Sequence, residues 1–200
     1  MKRASQTSPG ADPYTATSFA ADVKTAREIA IYFKKPLPAT VFDALKEITR
    51  HRQKSLVEAV AEDVADVSYL RGLHSLGLSV YYGLGLPSQT LIFLDRKRAF
   101  SFAETGAGNH HPARSVKNAE DLYLSLLWHR FGLAVLISGV ANERNSEKNL
   151  FSLKTTETRE EWFRLKDSQS LPVRGARVEI FGWQKWNSRI VEVLEIRQLA

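Results

Sequence analysis

Cysteine is absent from the 200 residues, and there is a single methionine. The missing cysteine excludes disulfides, thiolate metal centres and thiol nucleophiles together. No apolar run approaches the roughly 18 residues that a transmembrane helix needs, so no membrane partner is expected. The opening MKRASQTSPGADPY has no apolar core of the kind a secretory signal carries. Acids are missing before Asp12, whereas Lys2, Arg3 and several hydroxyl side chains precede it. That balance suits an organellar presequence as well as a plain polar tail. The tail is the simpler reading, and the expected location is intracellular and cytoplasmic. Also missing are a Ser–His–Asp spacing, an HExxH, an acidic metal triad and a nucleotide-binding glycine motif. No catalytic residue, metal or cofactor is therefore assigned, and an enzyme is the less favoured class.

What is present is an ordinary globular composition, 44% hydrophobic and 25% charged, with a formal net charge of +6. Such a chain buries a sizeable core, and its positive balance makes polyanions plausible partners. Residues 1–17 are rich in Ser, Thr, Pro and Gly and read as a flexible tail. SFAADVKTAREIAIYFKK reads as an amphipathic helix stopped by Pro36 and Pro38, and PATVFDALKEITRHR as a second. From Ser55, the residues Val57, Val60, Val64, Val67 and Leu70 fall three or four apart. That stripe predicts one long helix ending near Gly77. LSVYYGL, QTLIFLD and RAFSFAE are short, β-branched or aromatic, and predict strands. NAEDLYLSLLWHRFG predicts a helix with Asn118 as N-cap and Gly132 as its stop. Residues 18–131 are accordingly expected to form an α/β domain of helices with a small sheet.

Residues 132–200 read as five strands: LAVLISGVA, LFSLKTT, EEWFRLK, ARVEIFGW and RIVEVLEIRQL. Gly139 and Gly182 lie inside two of them, where glycine marks a bulge or a barrel corner. In RVEIF, Val178 and Ile180 face one way and Arg177, Glu179 and Phe181 the other. The segments LISGV, LFSLKT, EWFRLK, GARVEIFGW and IVEVLEIRQL resemble the strands of an OB-fold, a superfamily that binds oligonucleotides or oligosaccharides. The expected fold class is therefore α+β: an N-terminal helical region with a small β-sheet, then a C-terminal five-stranded OB-like barrel. The connection DSQSLPVRG is too short for the helix that many OB-folds carry there, so the N-terminal domain is expected to plug the barrel base.

The resemblance implies ligand binding across strands two and three, flanked by the loops joining strands one–two and four–five. Those positions hold Arg144 and Lys148, then Lys154, then Trp162, Arg164 and Lys166, then Trp183, Lys185, Trp186 and Arg189. Cations among aromatic faces are what a single-strand binder uses. The expected partner is thus single-stranded DNA or RNA, with a protein partner or self-association through the N-terminal domain. Two features oppose this. Residues 133–200 contain eleven Lys or Arg against nine Asp or Glu, and Glu143, Glu147, Glu160 and Glu161 border the same groove. The alternative is an adaptor that uses the barrel as a protein-binding surface, with the aromatics buried against its partner.

A third reading is a nucleic-acid enzyme. TGAGNHHPARS offers Gly106 and Gly108 for a close backbone approach, Arg114 for a phosphate, and His110 and His111 as acid, base or metal ligands. It lacks the GK[ST] of a phosphate-binding loop, and a solvated loop is the simpler view. Basic clusters at Arg50–Lys54 and at DRKR 95–98 are second-choice phosphate contacts.

Overall fold

The computed structural model describes residues 16–34, 36–37, 39–50, 56–62, 66–102, 114–156, 159–166 and 169–199. The elements run α1 Ala16–Thr25, β1 Glu28–Phe33, α2 Ala39–Arg50, β2 Leu56–Ala61, α3 Val67–Ser75, β3 Ser79–Gly83, β4 Thr90–Leu94, β5 Arg98–Phe102, β6 Arg114–Val116 and α4 Ala119–Leu127. They continue with β7 Arg130–Asn145, β8 Leu150–Lys154, β9 Glu160–Arg164, β10 Arg177–Lys185 and β11 Ile190–Gln198. The mixed α+β class expected from the sequence is observed, with strands outweighing helices.

Three of the expected helices are overturned in part, the one expected to stop at Gly132 ending already at Leu127. IAIYF is not the end of a helix but β1, and LVEAVA is not the start of a long helix but β2. The two strands pair in parallel, and β2 pairs in parallel with β3. A parallel strand covered on both faces reads as an unbroken apolar run, so its period is indistinguishable from that of a buried helix. Here Ile29, Ile31, Phe33, Val57, Ala59 and Val80 face α1, α2 and α3. Ala30, Tyr32, Val60, Leu91 and Phe93 face α4. The true helix α3 begins after Asp66, whose carboxylate accepts from the Tyr69 backbone N–H at 3.0 Å. It stops where expected, at Gly77 with φ +86.

β4, β5 and β6 extend the sheet antiparallel from β1. The β4–β5 turn places Asp95 and Arg96 at φ 51 and 60, both central positions of a tight hairpin turn with left-handed backbone. Two side-chain anchors hold it. Asp95 Oδ1 accepts from the Arg27 and Glu28 backbone N–H groups at 2.9 and 3.0 Å. Arg96 Nε donates to both oxygens of Glu28 at 2.8 Å. Two cations of the DRKR turn are thereby neutralised, since Arg98 also pairs with Asp22 at 2.8 Å.

β7 to β11 close into a five-strand barrel in the order β7–β8–β9–β11–β10, with β10 returning to β7. All pairs are antiparallel except β9–β11. Val178, Ile180, Val191, Val193, Phe151, Leu153 and Phe163 fill it. Gly182 acts as expected: β10 shifts register between Phe181 and Gly182, and a Cβ there would stand 2.5 Å from the Glu192 carbonyl oxygen. Among the described residues, no N-terminal side chain joins the barrel core, so the expected plug is not seen there. Leu171 and Ala176, from the connection between β9 and β10, pack against the barrel core, and Gln169 ties that connection to the Leu194 carbonyl at 3.1 Å.

β7 starts at Arg130, three residues before the expected Leu133, and belongs to both parts. Its first residues pair with β3, through Tyr81–Leu133 and Tyr82–Gly132, while its other side pairs with β10. One continuous eleven-stranded sheet results.

Candidate nucleic-acid interface

The barrel's outer wall is divided into a covered half and an open half. On β10, Val178 and Ile180 point into the barrel while Phe181 and Trp183 point out, as alternation requires, but outward here does not mean toward water. Phe181 and Trp183 join Ala134 and Leu194 in the core shared with α3. The His74 ring meets Phe181 edge-on at 5.8 Å, and Tyr82 lies 5.4 Å from Trp183. Arg71 of α3 bridges Glu179 of β10 and, at 3.0 Å, Glu195 of β11.

Trp183 is therefore a correction. Expected to offer its indole to a strand, it is only 2% exposed, and its Nε1 has no hydrogen-bond partner among the described residues.

The opposite half, β8 and β9, carries the other expected residues. Phe163 points inward and stacks on Phe151 at 5.3 Å, so its neighbour Trp162 points outward and is half-buried. The register sets two rows across the wall. Ser152, Trp162 and Ile190 stand side by side, and Leu150, Arg164 and Glu192 form the next row. Lys154 faces Glu160 at the rim. Arg144 lies at the end of β7 rather than in a loop, where the register shifts between Ala141 and Arg144. Lys148 follows in the turn. Arg144, Lys148, Lys154, Arg164, Lys166 and Arg189 are all exposed.

Among the described residues, two salt bridges form near this wall, Arg159 with Glu161 and Lys185 with Glu192, each at 2.8 Å. Lys185 is thus occupied, and its ammonium also lies 5.3 Å from the Tyr82 ring centroid. Trp186 is 62% exposed in the β10–β11 turn.

The carboxylates remain part of the surface. Glu160 accepts from the buried Ser152 hydroxyl and from Asn142 Nδ2 at 3.0 Å. The Ser152 bond first, then Asn142, holds its carboxyl below the ordinary carboxylate value. Glu160 thus stays charged at neutral pH beside Lys154, and Glu143 and Glu147 are exposed nearby.

One polar centre carries no signal in the sequence. Arg130, at the first position of β7, is 8% exposed between the sheet and α4. Its Nη2 lies 2.8 Å from Glu58 Oε2, an ion pair by distance though not an aligned hydrogen bond. It also donates to the Tyr32 hydroxyl at 2.9 Å. Tyr81 lies under the guanidinium at 4.8 Å. Burial raises the pKa of Tyr32, Tyr81 and Tyr123. A buried pair of this kind is weak evidence for stability, and it stands where β7 begins and pairs with β3.

Gly106, Gly108, His110 and His111, together with His51, Arg52 and Lys54, lie outside the described residues, as does the Arg114 side chain. No cluster of three metal-ligating side chains occurs among the described residues, and no helix there is long and apolar enough to cross a membrane.

No protein-family model matches the chain, and no curated protein matches it. The solved structures similar to it include two that match over 55% of its length. One is Nuc, a phospholipase D family member from Salmonella typhimurium, with 15% identity, 80% of that chain covered and a TM-score of 0.42. The other is TrmBL2, an archaeal chromatin protein described with a novel mode of DNA binding, with 12% identity, 45% of that chain covered and a TM-score of 0.38. TM-scores of this size do not establish a common fold, so the activities in those names stay with those proteins.

Proposed function

We propose that this chain binds single-stranded DNA or RNA across the outer wall of β8 and β9, without chemistry of its own. On this reading the barrel is an OB-fold, a reading supported by the strand order, with β9 beside β11 in parallel and β10 closing on β7. The observation that carries the proposal is the split of the barrel wall. α3 covers the side formed by β10 and β11, while β8 and β9 present Trp162 with Lys154 and Arg164 around it. Those are the strands through which such barrels grip oligonucleotides. Arg144 and Lys148 at one rim and Arg189 at the other extend the cationic track that a phosphate backbone follows.

Fluorescence anisotropy with labelled single-stranded DNA, RNA and duplex DNA tests this. Binding is expected at ~50 mM salt and should weaken steeply toward ~200 mM as counterions are released. Trp162→Ala should cost about 1–3 kcal/mol, the worth of a stacked base. Arg164→Ala should make the salt slope shallower by about 0.7, one phosphate contact on a single strand. Absence of any oligonucleotide binding at low salt would leave the protein-binding adaptor as the better account.

A further inference from the structure

We propose that a bound strand continues past the barrel onto an aromatic ledge formed by Trp186, Phe131 and Trp128, whose rings stack further bases. This rests on the reading above and extends the same site. The aromatic side chains that are exposed among the described residues are Trp128 at 84%, Trp186 at 62% and Phe131 at 42%.

The backbone brings them together. The Trp186 N–H donates to the Phe131 carbonyl at 3.0 Å, so the β10–β11 turn lies against the start of β7. The next residue of β7, Gly132, pairs with Lys185 on one side and Tyr82 on the other. A Cβ on Gly132 would stand 2.7 Å from the Gln184 carbonyl oxygen, so only glycine allows this approach. Trp128 closes α4, and the next residue is pinned in turn. The His129 carbonyl accepts from the Leu84 N–H at 3.1 Å, and His129 Nδ1 contacts the Leu84 carbonyl oxygen at 2.7 Å. The rings thus project from fixed backbone, which lowers the ordering cost of stacking.

Continuity selects bases as the occupant. Ile190 pairs with Trp162 in the central row of the open wall. Arg189, exposed, is its immediate neighbour, and Trp186 begins the same turn. A strand crossing Trp162 toward this rim meets an exposed cation and then the ledge. Stacking is tolerant of sequence and needs no charge on the ledge itself.

The test uses the full chain and homopolymeric single strands of increasing length, measured by anisotropy. Wild-type affinity should rise with length in two stages, the second supplied by the ledge. Trp128→Ala, at a side chain almost wholly in water, should leave the shortest binding oligonucleotide unaffected. It should weaken the longest by about five- to tenfold with an unchanged salt slope, and Trp128→Tyr should restore most of the loss. Equal affinity of wild type and Trp128→Ala at every length overturns the ledge while leaving the barrel site standing. If Trp128→Ala changes only the concentration-dependent sedimentation of the protein, the corner is a protein contact and the proposal fails. If no oligonucleotide binds the wild type, both readings fall.

Discussion

Trp183 and Trp186 are three positions apart and have opposite surroundings. The first seals the seam under Tyr82 and the second stands in water. Trp183→Ala should therefore cost about 3–5 kcal/mol in urea denaturation, as truncation of a fully packed aromatic does. Trp183→Phe is the more informative change. It loses volume but also removes a buried N–H with no partner among the described residues, whose desolvation costs about 1–3 kcal/mol. A loss below about 1.5 kcal/mol is expected. A Phe variant as unstable as the Ala variant would mean that the indole nitrogen is satisfied after all. Glu160 gives the converse test on binding. Its carboxylate is held ionised by Ser152 and Asn142 in the path proposed for phosphates. Glu160→Gln keeps an oxygen to accept those bonds and removes the charge. Oligonucleotide affinity should rise at ~50 mM salt, and the gain should shrink as salt screens the repulsion.

At the scale of elements, the barrel was legible and the parallel strands were not, for one physical reason. β8, β10 and β11 each have one apolar face, so Val178 and Ile180 or Val191 and Val193 announce a period of two. β1 and β2 are apolar on both faces, and Ile29, Ala30, Ile31, Tyr32 and Phe33 carry no period at all. The exposure of Lys154 and Arg164 was legible, because both stand at outward strand positions. The cover over Trp183 was not, because α3 reaches β10 only through tertiary packing. Gly182 was legible from its place inside a strand, and its role can be measured. Gly182→Ala would press a methyl group against the Glu192 carbonyl oxygen and Val191 Cγ1, at 2.5 and 2.8 Å. Both belong to a paired strand that cannot retreat without breaking its ladder. The denaturation midpoint should drop by the equivalent of about 1–3 kcal/mol. An unchanged midpoint would show that the bulge adjusts freely.

For the molecule as a whole, the division expected at residue 132 cuts through β7, which pairs with β3 and with β10 at once. A fragment of residues 132–200 would lose Arg130 and bare Phe181, Trp183 and Leu194, which α3 and β3 cover in the full chain. We therefore expect that fragment to aggregate or to bind a hydrophobic dye. The full chain should unfold in one transition, with seam and barrel probes coinciding. The seam also sets a pH dependence. His74 meets Phe181 there, and its pKa is lowered from 6.5, first by burial and then by neighbouring Arg71. Arg71 is the charge that faces it, with Glu179 and Glu195 engaged on the far side of that guanidinium. A histidine with a lowered folded pKa binds its proton more readily when unfolded. Its contribution is complete above the unfolded value and is lost as pH falls below about 6.5 toward the folded pKa. Urea midpoints should accordingly fall between pH ~7.5 and ~5.5, with the seam and barrel probes falling together, and His74→Gln should flatten that fall. An equal fall in wild type and variant would place the titrating group elsewhere. A fall seen by the seam probe alone would show that the barrel holds together without α3, and that the two parts are separable units sharing a strand.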